Sequence, residues 1–122
     1  MRAQVRHLQA QAEYWFEEGC FINELANTDD DESVSIARAR VAPGMTTRWH
    51  RLHGIVERYV VLSGKGRVEL GELPAQDLLA GSVVLIPAEC RQRITNIGDE
   101  DLVFLAICSP RFRPQAYEDL GS

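Results

Sequence analysis

The chain has almost no lysine. Lys65 stands alone among 122 residues, and the other basic side chains are arginines scattered along the sequence. With a formal charge of -5 and a pI near 5.1, nothing concentrates cations against phosphates, which argues against a nucleic-acid surface, and no nucleic-acid partner is expected. Long hydrophobic runs are missing too: no segment is apolar enough to span a bilayer, and Met1-Arg2-Ala3-Gln4-Val5-Arg6-His7 precedes no apolar signal core. No membrane partner and a cytoplasmic location are therefore expected. Cysteine is scarce: Cys20, Cys90 and Cys108 are odd in number and far apart, which suits reduced, mostly buried thiols rather than a disulfide framework or a zinc site. The length gives room for one domain with a single core, not two.

What is present is a series of short strand patterns. Residues 20–25, 33–41, 46–52, 56–63, 67–70, 77–79, 82–86, 91–96 and 102–108 read as strands. Between them lie turn signals such as Pro43-Gly44, Ser63-Gly64-Lys65-Gly66 and Asn96-Ile97-Gly98-Asp99. Many short strands with frequent turns mean a sandwich or barrel. Before them, Leu8, Ala12, Trp15 and Phe16 recur at about helical spacing, so residues 2–18 are expected as a short helix or an extended arm. Asn27-Thr28-Asp29-Asp30-Asp31-Glu32 reads as a solvated acidic loop. The proline-broken tail is expected to lie against the outside of the barrel. The layout is one domain, 1–122, with a core at about 20–109, an arm at 1–19 and a tail at 110–122.

Two spaced motifs carry the chemistry: Gly44-x5-His50-x2-His53-x3-Glu57-x6-Gly64, then Gly81-x5-Pro87-x4-Gln92-x3-Asn96. Two histidines and a carboxylate come from one strand region and a polar side chain from another, which is how a β-barrel builds a mononuclear metal pocket. Strand alternation points Glu57, Tyr59 and Val61 the same way, making Tyr59 a pocket wall if Glu57 faces inward. His50 shares a face with Leu52, so His53 points away unless the backbone bulges between them, which Gly54 makes cheap. Gln92 offers a neutral amide oxygen, either as a weak ligand or as a group that orients a ligand or water. Without a metal, His50 and Glu57 read as an internal hydrogen-bonded pair, and a buried Glu57 needs some partner in either case. The alternating arginine pairs Arg38/Arg40, Arg91/Arg93 and Arg111/Arg113 read as outer-face charge pairing with Glu24, Glu69, Asp77 or a second subunit, or else as grips for an anionic substrate.

These motifs resemble those of the cupin family, Gly-x5-His-x-His-x3or4-Glu-x6-Gly and Gly-x5-Pro-x-Gly-x2-His-x3-Asn. Gly44, His50, Glu57, Gly64, Gly81, Pro87 and Asn96 match. Glu89 replaces a glycine, Gln92 replaces a histidine, and the histidine pair is spaced by two residues rather than one. The resemblance implies an all-β, cupin-type double-stranded β-helix, a jelly-roll barrel, that pairs as a homodimer. It also implies one divalent transition metal ion, Fe, Mn, Ni or Zn, held by His50, His53, Glu57 and Gln92, and a small-molecule ligand or substrate inside the barrel. The reactions open to such a site are dioxygen insertion, isomerisation, cyclisation and lyase chemistry. The alternative is a non-catalytic binding barrel with a degenerate metal site.

Overall fold

A computed structural model describes residues 1–122. It is all β, with eleven strands and two 3-10 turns, at Ala10–Ala12 and Pro114–Ala116. The strands are β1 (Tyr14–Phe16), β2 (Cys20–Ala26), β3 (Ser35–Val41), β4 (Trp49–Leu52), β5 (Val56–Ser63), β6 (Gly66–Leu70), β7 (Gln76–Leu78), β8 (Val83–Ile86), β9 (Gln92–Asn96), β10 (Leu102–Ser109) and β11 (Tyr117–Gly121). They form a six-stranded sheet, β1-β2-β3-β10-β5-β8, and a five-stranded sheet, β11-β4-β9-β6-β7. Every pairing is antiparallel.

Alternation sets what faces inward. On β5, Glu57, Tyr59 and Val61 are buried while Val56, Arg58 and Val60 are half-buried, and on β9 Gln92, Ile94 and Asn96 are buried. The inner faces of the two sheets enclose Val41, Val61, Ile86, Ile94, Leu102 and Phe104 as one core. A smaller cluster, Leu52, Ile55 and Cys108, collects Phe112, Ala116 and Tyr117. The turn after β5 demands glycine: Gly64 has φ +89°, and a Cβ there would stand 2.5 Å from the Asp101 carbonyl oxygen.

Of the two forms expected for residues 2–18, a short helix or an extended arm, the segment takes the extended one over β1, a three-residue strand paired with β2 in the register Tyr14↔Ile22, Trp15↔Phe21 and Phe16↔Cys20. Consecutive aromatics favour a pleated, half-buried surface, and this outweighs the loose helical spacing. The tail does not simply coat the outside. It adds β11 to the edge of the second sheet beside β4, and Phe112, Pro114 and Tyr117 wall an internal chamber. Nor is the acidic loop only solvated: Glu32 pairs with Arg111 and Arg113, and Asn27 Nδ2 donates to the Phe112 carbonyl at 3.0 Å, clamping the tail.

Candidate functional site

The chamber lies between β1, β2, β3, β5 and β10 on one side and β4 with the tail on the other, and its volume is about 270 Å³. Its walls are mostly apolar. His50 comes from β4, Glu57 and Tyr59 from β5, and Glu18 from the turn Glu17-Glu18-Gly19 that joins β1 to β2. That turn is tied to the entry of β4 by the Arg48 amide, which donates to the Glu18 carbonyl at 2.7 Å. Glu18 escaped the sequence reading because a glutamate in a Glu-Glu-Gly turn reads as a solvated residue. The usable signal was the aromatic run before it, which marks the first arm of a hairpin.

His50 is held in one tautomer. Its Nδ1 lies 2.8 Å from the Arg48 carbonyl oxygen, which can only accept, so Nδ1 carries the proton and Nε2 faces the chamber. Nε2 stands 3.2 Å from Glu18 Oε1, with both side chains almost wholly buried. Burial pushes the imidazole below its usual range, while the Arg48 carbonyl and the charge of Glu57 partly oppose it. Burial also pushes Glu18 up to about 7. Both shifts favour an uncharged pair near neutral pH.

Glu57 belongs to a second chain of contacts. The Tyr59 hydroxyl donates to Gln92 Oε1 at 2.5 Å, and Gln92 Nε2 donates to Glu57 Oε1 at 3.0 Å. The other oxygen of Glu57 has only the Cys108 thiol, at 3.8 Å. Burial, and then the charge of Glu18, push Glu57 up to about 7 as well. Burial raises Tyr59 well above the usual phenol range, so its hydroxyl stays a donor.

His53 does not join this group. There is no bulge after Leu52, and His53 sits in the β4–β5 turn with 46% of its side chain exposed. Its Nδ1 lies 2.5 Å from Glu89 Oε2 and its Nε2 2.8 Å from Glu118 Oε1. With a carboxylate at each nitrogen the ring is held as imidazolium, its pKa raised first by Glu89 and then by Glu118. Of the four residues expected at a metal, then, His50, Glu57 and Gln92 share the interior and His53 lies outside it.

The arginine pairs also stay outside. Arg93 pairs with Glu69, Arg91 with Glu72, and Arg38 and Arg40 with Glu13. Arg91 and Arg93 both lie over the Trp49 ring, each 4.6 Å from its centroid. The interior donor set is therefore incomplete for the divalent metal that the resemblance implies: no three His, Cys, Asp or Glu side chains converge as a metal needs, and the Gln92 oxygen is turned to Tyr59.

The family described as Cupin domain matches residues 37–108. An uncharacterized protein of Methanocaldococcus jannaschii is 30% identical over 108 residues, covering 87% of this chain and 83% of that protein. Among solved structures, KdgF from Halomonas sp. superposes with a TM-score of 0.80 at 17% identity, covering 93% of this chain and 98% of that one. Pac13, described as a nucleoside dehydratase, gives 0.77 at 16% identity, covering 97% and 92%. At such identities the two structures carry the fold alone.

Proposed function

The chain belongs to the cupin-domain family, and from that premise we propose that it is a small-molecule enzyme in which His50 and Glu18 form the proton-transfer pair of the chamber. One observation carries the reading: a tautomer-fixed imidazole nitrogen 3.2 Å from a buried carboxyl group, both opening onto an apolar cavity. A general acid or base works best when its pKa lies near the working pH, and burial brings Glu18 there. His50 Nε2 takes a proton from a bound substrate, and the Glu18 carboxyl supplies one to the group that leaves or is relocated. Tyr59 and Gln92 fix the orientation of Glu57, the second carboxyl on the chamber wall. Such chemistry covers isomerisation and elimination, and an enzyme described as a dehydratase shares the fold.

A metal-holding version rests on a separate observation. Glu18 and Glu57 are two buried carboxyls with no lysine or arginine on the chamber wall, and since no three His, Cys, Asp or Glu side chains stand together as a metal needs, one divalent ion, Fe, Mn, Ni or Zn, would require both carboxyls to turn toward His50. Elemental analysis of protein purified without chelator tests it. About one equivalent, lost in His50→Ala but kept in His53→Ala, supports the ion. None after reconstitution rejects it.

Deuterium wash-in from heavy water into a panel of small carbonyl compounds tests the proton-transfer reading. Exchange catalysed by the parent and lost in both His50→Gln and Glu18→Gln supports it. Exchange that survives in either variant rejects the His50–Glu18 pair as its source, and no exchange at all leaves a binding barrel without turnover. The family expectation of a homodimer has support at the sheet edge, where β8 exposes Val83 and Leu85 at 58% and 69%. Sedimentation equilibrium of the parent against Leu85→Lys reads it. No helix is long and apolar enough to cross a membrane, and the cysteines are unpaired, which supports a reducing, cytoplasmic compartment.

A further inference from the structure

The chamber is short of donors rather than acceptors. Glu18, Glu24 and Glu57 line it, and no arginine or lysine does. Glu57 offers an oxygen whose only neighbour is a thiol at 3.8 Å, and Glu18 Oε2 likewise has only the Cys20 thiol, at 3.6 Å. The Tyr117 hydroxyl is buried with no partner. Apart from that hydroxyl, the inward donors of the polar chain are used: Tyr59 donates to Gln92, the Gln92 amide to Glu57, and His50 Nδ1 is bonded to backbone. Around these groups stand aromatic walls. Phe16 meets Tyr117 edge-on at 5.1 Å, Tyr117 stacks on His50 at 5.3 Å, and Tyr59 leans on Phe104 at 4.4 Å.

A carboxylate or phosphate placed here would face carboxyl groups with no cation to meet it, a costly burial. A neutral alcohol would satisfy one acceptor. An ammonium brings donors only, draws a neighbouring carboxyl group into its carboxylate form by its own charge, and gains from nearby aromatic faces. The volume exceeds the ~150 Å³ that accommodates a benzene ring in an engineered protein cavity. There is room for one ring and a short arm.

We propose that the chamber binds a small primary or secondary amine with an aromatic or branched apolar body, its N–H donors directed to Glu57, Glu18 and the Tyr117 hydroxyl. This deepens the functional reading above, resting on the chamber as the small-molecule site, and it names the substrate class as amines rather than anions.

Three near-isosteric probes test it by calorimetry on the full chain: phenethylamine, phenylethanol and phenylacetate. The expected order is amine first, tighter than the alcohol by about tenfold or more, with the carboxylate weakest. Glu57→Gln and Glu18→Gln, checked for folding by circular dichroism, should each weaken the amine about tenfold and leave the alcohol unchanged. Tyr117→Phe should weaken the amine by a smaller factor. Equal binding of amine and alcohol, preference for the carboxylate, or no binding of any probe would overturn the proposal. If the variants fail to fold, the order of the three probes on the parent still decides. Wash-in of deuterium uses none of these ligands, so loss of the amine proposal and loss of the proton-transfer reading are separate results.

Discussion

His50 and His53 are three positions apart in the chain and live in opposite environments. His50 is 2% exposed, pinned through Nδ1 to backbone, with its pKa lowered by burial. His53 is on the surface between Glu89 and Glu118, with its pKa raised by both. What separates them is strand parity. His50 lies on the inward phase of β4, and His53 falls in the turn beyond it, where a side chain reaches only other loops and the neighbouring β11. The first histidine belongs to the chamber, whereas the second staples its rim, tying the β4–β5 turn to the loop before β9 and to the C-terminal strand.

The sharpest way to break this comparison is to delete each ring. His50→Ala leaves a void beneath Tyr117 and removes the nitrogen facing Glu18, so it should destabilise by about 3 kcal/mol in urea denaturation. His53→Ala should cost far less, since exposed ion pairs contribute little. If the two variants lose equal stability, the division into interior and rim is wrong.

Next in size is the effect of pH on the buried carboxyls. Glu18 and Glu57 are both raised from 4.5 to about 7 in the fold, so between those values the folded chain holds more protons than the unfolded one. Their contribution is complete below about pH 4.5 and falls as pH rises to about 7, by at most roughly 3 kcal/mol for either group. Glu18→Gln should flatten part of that slope, and a parent stability that rises across this window would contradict the burial of both groups. The histidines then differ in sign. A lowered pKa gives His50 a contribution present above about 6.5 and lost as pH falls through its folded value. A raised pKa gives His53 one present below about 6.5 and lost as pH climbs through its folded value. Thermal melts of His53→Gln across pH should lack that alkaline decline, and salt should erase it in the parent but leave the buried pair's slope.

Strand parity also decides how much was legible in the sequence. The inward set Glu57, Tyr59 and Val61 follows from a period of two, as do Gln92, Ile94 and Asn96 on β9. The outward arginines follow from the same rule. The position of His53 hung on one possible bulge, and a bulge is a property of the backbone that spacing alone does not encode. Glu18 and Tyr117 were invisible for another reason. They reach the chamber from the turn that joins β1 to β2 and from β11, whose placement is set by long-range contacts such as Arg48 to Glu18 rather than by local pattern. Gly64 was legible as a turn, while the close approach of the Asp101 carbonyl that forbids a side chain there was not.

The smallest expected effect tests the rim itself. Glu89 stands where the cupin motif carries glycine, and it keeps the glycine-like backbone, with φ 69°. A non-glycine residue there carries strain. Its carboxylate offsets that by accepting from the Gly54 amide at 2.8 Å and from His53. Glu89→Gly removes strain and staple together, so the melting midpoint should move by no more than about 3 °C. The His53 titration, followed by its ring proton signals, should fall back toward the ordinary imidazole range because the stronger of its two carboxylate partners is gone and Glu118 alone remains. An unchanged His53 titration would mean that Glu118 and its partner Arg51 hold the ring without help, and a large loss of stability would mean that the rim is as integral to the barrel as the interior. Either result would erase the distinction between the two histidines from the side of the weaker one.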